Sequence, residues 1–213
     1  MTKVVILGAN GQIARLATAQ LLADKKVDLK LFLRNAGRLK NEATGNAEII
    51  EGDATKEADL TKAITGADVV YANLAGGTIE VQARKVVNVM DKLGVKRLIW
   101  ISTLGIYDEV PGKFGEWNHE QLDEGYLPLY AAAAEQVEKS DLDYTIVRPA
   151  WLDNKDEIDY ELTQKGEDFK GTEVSRKSVA AFVKRLIDDP TENLRHSVGI
   201  NKPNTDGDKP AWY

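Results

Sequence analysis

An α/β chain is predicted, with an open, doubly wound parallel sheet covered on both faces by helices in three α/β/α layers. Three observations carry this. Short apolar runs alternate with helical segments from the first residues. Most of those runs are continuously apolar, as strands buried on both faces are, rather than alternating. Strands that alternate with helices join as parallel neighbours through helical crossovers.

The first strand is predicted over Lys3–Leu7 (KVVIL), closed by Gly8. The helix over Gln12–Ala23 puts Ile13, Leu16, Ala17 and Leu21 on one face. Strands follow at Asp28–Leu33 and Ala47–Ile50, then a helix at Ala58–Ile64 and a strand at Asp68–Ala72. Ile79–Leu93 presents Val86, Val89, Met90 and Leu93 at helical spacing. After a strand at Arg97–Ile101, four consecutive alanines argue for a helix at Tyr130–Lys139. Strands at Tyr144–Val147 and Ser197–Ile200 flank a last helix, Ser178–Ile187, which stops before Pro190. Two stretches, 108–126 and 153–171, read as irregular loops on the carboxyl side of the strands, where open α/β sheets bind ligands. The tail 201–213, with two prolines and little periodicity, reads as a loop. The 213 residues read as one domain, 1–213.

Composition removes several functions. A hydrophobic content of 43% is too high for a disordered chain, and no apolar run nears the ~18 residues of a membrane span. The chain has no cysteine and only two histidines, His119 and His196, so thiol chemistry, Cys-based metal sites and His-rich metal sites are not expected. A net charge of -6 argues against holding a nucleic-acid backbone by bulk charge. Met1-Thr2-Lys3 runs straight into a strand, without the regions of a signal peptide. The expectation is a cytoplasmic protein with no metal, membrane or nucleic-acid partner, a homodimer being the commonest oligomer.

Gly8-Ala9-Asn10-Gly11-Gln12-Ile13-Ala14-Arg15 joins the first strand to the first helix. Gly8 permits a tight turn, Gly11 clears a side chain from the path of a pyrophosphate, and the small Ala14 lets helix and strand pack closely. Free N–H groups at the helix start can hold phosphates. Gly8, Asn10, Gly11, Gln12 and Ile13 are therefore expected to contact a dinucleotide; the bland alternative is a tight turn without a ligand.

Arg34 follows the second strand, where NAD-preferring sites often carry an acid for the ribose 2′-hydroxyl. An arginine suits a 2′-phosphate instead. NADP is therefore the preferred cofactor, with NAD possible, and Arg38 and Lys40 can reinforce Arg34 unless all three are a solvated basic face. Asp53 and Ala54 follow the third strand, where a carboxylate can accept from the adenine amino group; the alternative is a helix cap. Asn73, Leu74 and Ala75 follow the fourth strand and let backbone run past ribose and pyrophosphate.

These segments resemble the short-chain dehydrogenase/reductase superfamily in its atypical branch, close to NmrA-like and biliverdin-reductase-B-like NAD(P)-binding proteins. The matching pieces are GANGQIAR, LRN, EGDAT, GVKRLIWISTLGIY, YTIVRPAWL and SRKSVAAFVKRLI. The resemblance spans Lys3 to about Ile200 and implies an NAD(P)-binding Rossmann fold. It implies that Ser102 faces the nicotinamide and that Pro149 and Ala150 touch its carboxamide end. Active members of that superfamily pair a tyrosine with a lysine four residues on. Here Tyr126 is followed by Tyr130, and Tyr130 by Ala134. An unassisted tyrosine has a pKa of about 10, and each unit of lowering takes ~1.4 kcal/mol from a neighbouring charge. A neutral tyrosine can still donate a proton, so reduction suffers less than oxidation. Ser102, Tyr126 and Tyr130 are the catalytic candidates, against the plainer readings of a strand-end cap and of tyrosines packed beneath the helix.

Residues 108–126 hold six acids, Asp108, Glu109, Glu116, Glu120, Asp123 and Glu124, and one lysine; residues 153–168 hold seven acids and two lysines. Such a rim disfavours anions, so a small neutral or cationic substrate is expected, unless the acids merely solubilise the loops. Phe114, Trp117, Tyr126 and Trp151 can add an apolar wall. The leading expectation is hydride transfer from NADPH to a small neutral acceptor such as a quinone, flavin or carbonyl. The alternative is a non-catalytic NAD(P)-binding sensor or regulator.

Overall fold

The computed structural model describes residues 1–24, 26–122 and 124–213. Asp123, one of the acids counted above, lies outside the described residues. The chain runs β1 Thr2–Leu7, α1 Gln12–Asp24, β2 Val27–Leu33, a 3₁₀ turn Ala36–Leu39, β3 Glu48–Glu51, α2 Glu57–Ile64, β4 Val69–Ala72, α3 Ile79–Leu93 and β5 Arg97–Ile101. It continues with α4 Gly112–Leu122, α5 Tyr126–Glu138, β6 Asp143–Pro149, β7 Trp151–Asp153, β8 Glu161–Gln164, β9 Glu173–Ser175, α6 Arg176–Asp188 and β10 His196–Asn201.

Eight strands form one sheet in the order β3-β2-β1-β4-β5-β6-β10-β8; β7 and β9 pair separately. Every pair in the large sheet is parallel except β10–β8, which is antiparallel. The order 3-2-1-4-5-6 is that of a Rossmann sheet, and its switch point lies between β1 and β4. β1 shows why the central strands are apolar throughout. Val4 and Ile6 join a core under α1 and α6, whereas Val5 and Leu7 join the core under α2, α3 and α5. Both faces of one strand are thus dry, and three layers result.

The ends of the helices follow local chemistry. Gly94, at φ 69°, closes α3 in the left-handed conformation, and its N–H reaches the Met90 carbonyl. The Ser175 Oγ caps α6 by accepting from the Ser178 N–H at 2.9 Å, a contact worth about 1 kcal/mol. Among the described residues no helix is long and apolar enough to cross a membrane.

The stretches 108–126 and 153–171 each contain a regular element, although most of the second is irregular as expected. The first contains α4, which buries Phe114, Gly115 and Asn118. The second contains β8, at the sheet edge. Helix α5 begins at Tyr126, four residues earlier than predicted; Pro128 is accommodated because first-turn N–H groups have no intrahelical acceptor. The tail does lack regular structure beyond Asn201, yet it is anchored. The Thr172 N–H and hydroxyl both donate to the Thr205 carbonyl, the Ala211 N–H donates to Glu173 at 2.9 Å, and Lys202 pairs with Glu157 at 2.7 Å.

Candidate functional site

A groove of about 660 Å³ lies over the carboxyl ends of β1 to β4, within the size range of small-molecule sites. Gly8, Asn10, Gly11 and Gln12 line it after β1, Arg34 after β2, Asp53 and Ala54 after β3, and Asn73, Leu74 and Ala75 after β4. The structure therefore brings together every residue expected along the adenosine and pyrophosphate except Ile13, while Pro149 and Ala150, expected at the carboxamide end, lie outside this groove. Ile13 turns its side chain into the core at 5% exposure, leaving only its N–H to face the turn. Pro149 sits at the buried end of β6 and does not line the groove.

The turn itself is tight. Gly8 has φ 77°, and its N–H and that of Ala9 both donate to the Phe32 carbonyl, at 2.9 and 3.1 Å. A Cβ on Gly8 would lie 2.2 Å from the Asn73 carbonyl oxygen. The expected job of Gly11, clearing the path of a phosphate, is joined by a second one: its empty side holds the Asn73 amide. The first-turn N–H groups of α1 remain without intrahelical acceptors.

Three arginines stand at the β2 end of the groove, in different states. Arg15 is paired with Glu42. Arg38 is held by the Asn10 amide, whose oxygen, in the orientation that satisfies both ends, accepts from Nε at 3.1 Å and Nη2 at 3.3 Å. Arg34 is exposed and makes no ion pair among the described residues. Lys40 does not line the groove. The Asp53 Oδ1 accepts from the Thr55 N–H and hydroxyl, both at 2.9 Å, which makes the turn reading of this residue part of its role. Those bonds hold its carboxyl below the ordinary range, with Lys56 and Arg34 contributing. The donors along the groove suit phosphates.

A second cavity, of about 330 Å³, lies beyond β5 and β6. Thr103, Leu104, Tyr126, Ala150, Trp151, Arg176, Trp212 and Tyr213 are among its lining residues. Ser102 immediately precedes that wall, at the end of β5. Its N–H donates to the Val147 carbonyl at 2.8 Å, while its Oγ is buried with no hydrogen-bond partner among the described residues. An orphaned buried hydroxyl costs stability, and a ligand group that pairs with it removes the cost. Tyr126 and Tyr130, one turn apart on α5, stack at 4.3 Å. Burial raises the Tyr126 hydroxyl above its ordinary pKa, and Tyr130 adds to this. Tyr130 is buried beneath and does not reach the cavity lining.

The aromatic wall forms in part as expected. Phe114, Trp117 and Trp151 come together, Trp117 and Trp151 at 4.8 Å, whereas Tyr126 stands across from them with Tyr130. Tyr213 was not foreseen: it sits edge-on against Trp117 at 5.0 Å and Trp151 at 5.5 Å. Arg176 and Trp212 were also missed. The acid-rich segments behave differently from the expected rim. Glu109 is buried against Arg148, Asp156 pairs with Lys177, and Glu157 with Lys202. Asp108 bonds His119 at 2.9 Å. No Asp or Glu side chain is among the described residues lining the cavity.

Residues 8–190 match a protein-family model described as NAD(P)H-binding. A protein of Saccharomyces cerevisiae, UPF0659 protein YMR090W, is 28% identical over 93% of this chain and 92% of its own. A solved Rossmann-fold NAD(P)-binding family protein from Shigella flexneri is 43% identical, covers 99% of this chain and 98% of its own, and superposes with a TM-score of 0.85. A short-chain dehydrogenase/reductase from Veillonella parvula DSM 2008, solved in complex with NADP, is 30% identical over 99% of both chains, with a TM-score of 0.89.

Proposed function

The chain belongs to the NAD(P)H-binding family, and we propose that it is an NADPH-dependent oxidoreductase of the atypical short-chain dehydrogenase/reductase type, reducing a small quinone, flavin or carbonyl acceptor. The observation that carries this reading is the second cavity. It opens one residue beyond the Ser102 hydroxyl, which has no partner among the described residues, at the carboxyl ends of β5 and β6, where an acceptor can lie beside the coenzyme.

In this reading the turn from Gly8 to Ile13 and the loop from Asn73 to Ala75 hold the pyrophosphate and ribose. Asp53 and Ala54 flank the adenine, and Ala150, which lines the second cavity, the carboxamide end. Arg34, unpaired and exposed, takes the 2′-phosphate of NADP, as a solved relative in complex with NADP makes reasonable. When bound, the reduced coenzyme supplies a hydride. Ser102 offers its free hydroxyl to the carboxamide or the acceptor. Tyr126, its hydroxyl held protonated, donates a hydrogen bond or proton and does not serve as a base. The direction favoured at neutral pH is reduction, and an acceptor that is stable once reduced can take its proton from Tyr126 or water.

One observation favours a second reading, a non-catalytic NAD(P) sensor: neither tyrosine has a lysine four residues on, and burial raises rather than lowers the Tyr126 hydroxyl. The test is calorimetric binding of NADPH followed by its absorbance against quinones, flavins and aldehydes. Turnover of any of these is expected, and Ser102→Ala or Tyr126→Phe then lowers kcat by about 10²-fold or more. Binding without turnover of any acceptor transfers the case to the sensor. Failure to bind either coenzyme overturns both readings.

A further inference from the structure

Resting on the oxidoreductase reading, we propose that the acceptor belongs to the planar aromatic anions, with its ring against Trp151 and its charge on the Arg176 guanidinium.

Arg176 contributes the only charged side chain among the described residues lining the 330 Å³ cavity. Its Nη1 donates to three neutral oxygens, the Leu152 carbonyl at 3.2 Å, the Asp153 carbonyl at 3.1 Å and the Asn154 Oδ1 at 2.9 Å. No carboxylate pairs with it among the described residues; the nearby Asp153 carboxylate goes to Lys155 at 3.3 Å. The guanidinium is thus fixed at one nitrogen while Nε and Nη2 make no hydrogen bond among the described residues. That is a preorganised fork, the geometry that recognises a carboxylate or sulfonate through two parallel bonds.

Burial lowers the basicity of Arg176 and the nearby Asp153 carboxylate only partly offsets this, the mark of a cation partly stripped of water and without a hydrogen-bonded carboxylate among the described residues. An anionic ligand group restores what burial removes. The remaining wall combines the aromatic Tyr126, Trp151, Trp212 and Tyr213 with aliphatic side chains such as Leu104 and Leu152, a lining suited to a flat apolar ring system. Of the acids that argued for a neutral or cationic substrate, Glu109, Asp156 and Glu157 pair with cations elsewhere in the fold, and no Asp or Glu side chain is among the described residues lining the cavity.

Two redox-inert probes test the proposal on NADP-saturated protein: naphthalene-2-sulfonate and the neutral naphthalene-2-sulfonamide, titrated by calorimetry and by tryptophan fluorescence. The sulfonate is expected to bind about tenfold more tightly or better. Arg176→Gln is expected to erase that preference while leaving the sulfonamide affinity within about twofold, and Arg176→Lys to retain part of it. Trp151→Leu should weaken both probes alike. Equal affinity of the two probes for the unmodified protein overturns the inference, as does failure of both to bind or a preference that survives Arg176→Gln. The first two outcomes need no variant to fold. Since neither probe is reduced, sulfonate selectivity without turnover of any acceptor sinks only the oxidoreductase reading, and turnover without selectivity sinks only this one.

Discussion

The Asn73 side-chain amide fills the place where a Cβ on Gly11 would stand, at 2.0 Å from the Asn73 Nδ2. The loop after β4 is thereby keyed into the turn after β1, across the switch point of the sheet. At Gly8 the obstacle is backbone of the same residue: a Cβ there would lie 2.2 Å from the Asn73 carbonyl oxygen.

The two glycines should consequently respond differently to repair. Gly11→Ala is expected to destabilise the fold by about 1–3 kcal/mol and to weaken coenzyme binding, and Asn73→Ala should recover much of the stability because the clash is with a side chain. Gly8→Ala should not be rescued, since its obstacle is a carbonyl and its φ of 77° is costly for alanine. Chemical denaturation of the single and double variants checks this; equal rescue at both positions contradicts it.

Arg34 should govern the choice of coenzyme. Removing one charge-assisted contact costs about 1.5–3 kcal/mol, so Arg34→Ala should weaken NADP binding roughly 10- to 100-fold and NAD binding little. Calorimetry with both coenzymes decides, and an equal loss for the two removes the 2′-phosphate assignment.

Glu109 and Arg148 form an ion pair with side chains 5% and 0% exposed. Glu109 also accepts from the N–H groups of Gly105 and Tyr107, at 3.1 and 3.0 Å, and so shapes the loop that leaves Ser102. Glu109→Ala strands a buried cation and should cost about 3–5 kcal/mol, each kcal/mol lowering Tm by about 2–4 °C. Replacing both residues by methionine should cost less than the single change. A thermal melt in which Glu109→Ala behaves like a surface substitution would count against this.

Glu57, at the start of α2, bonds Lys92 at 2.7 Å and Lys85 at 2.9 Å on α3. These two ammonium groups, Lys92 foremost, bring its pKa from 4.5 down to about 2. An acid with a folded pKa below its unfolded one adds stability above the unfolded value and loses it as the pH falls. The contribution should therefore be complete above pH 4.5 and fade between 4.5 and 2. Denaturation across that window should show a shallower pH slope for Glu57→Gln; an unchanged slope refutes the assignment.

Much of this was written locally. The turn from Gly8 to Ile13 was legible because a continuously apolar strand, two glycines and an amphipathic helix are neighbours in sequence. Helix α4 was not, because its buried face is Phe114, Gly115 and Asn118, only one of them a large apolar residue; Asn118 accepts from the Trp151 indole at 2.9 Å. Strand β8 escaped because an edge strand of four residues offers too little alternation. Arg148 and Glu109 are 39 positions apart, and no periodicity connects them. The cavity arginine reads, in sequence, as an ordinary first residue of a helix, and Tyr213 gains its meaning only from the fold that brings it to Trp117 and Trp151.

The residues lining the first groove fall between 8 and 82, and those lining the aromatic cavity between 103 and 213. The two share no member. Exchanging everything after β5 with that of a relative would transplant the taste for one compound while leaving the appetite for reducing equivalents intact, and a lineage could diversify the later half without relearning the earlier one.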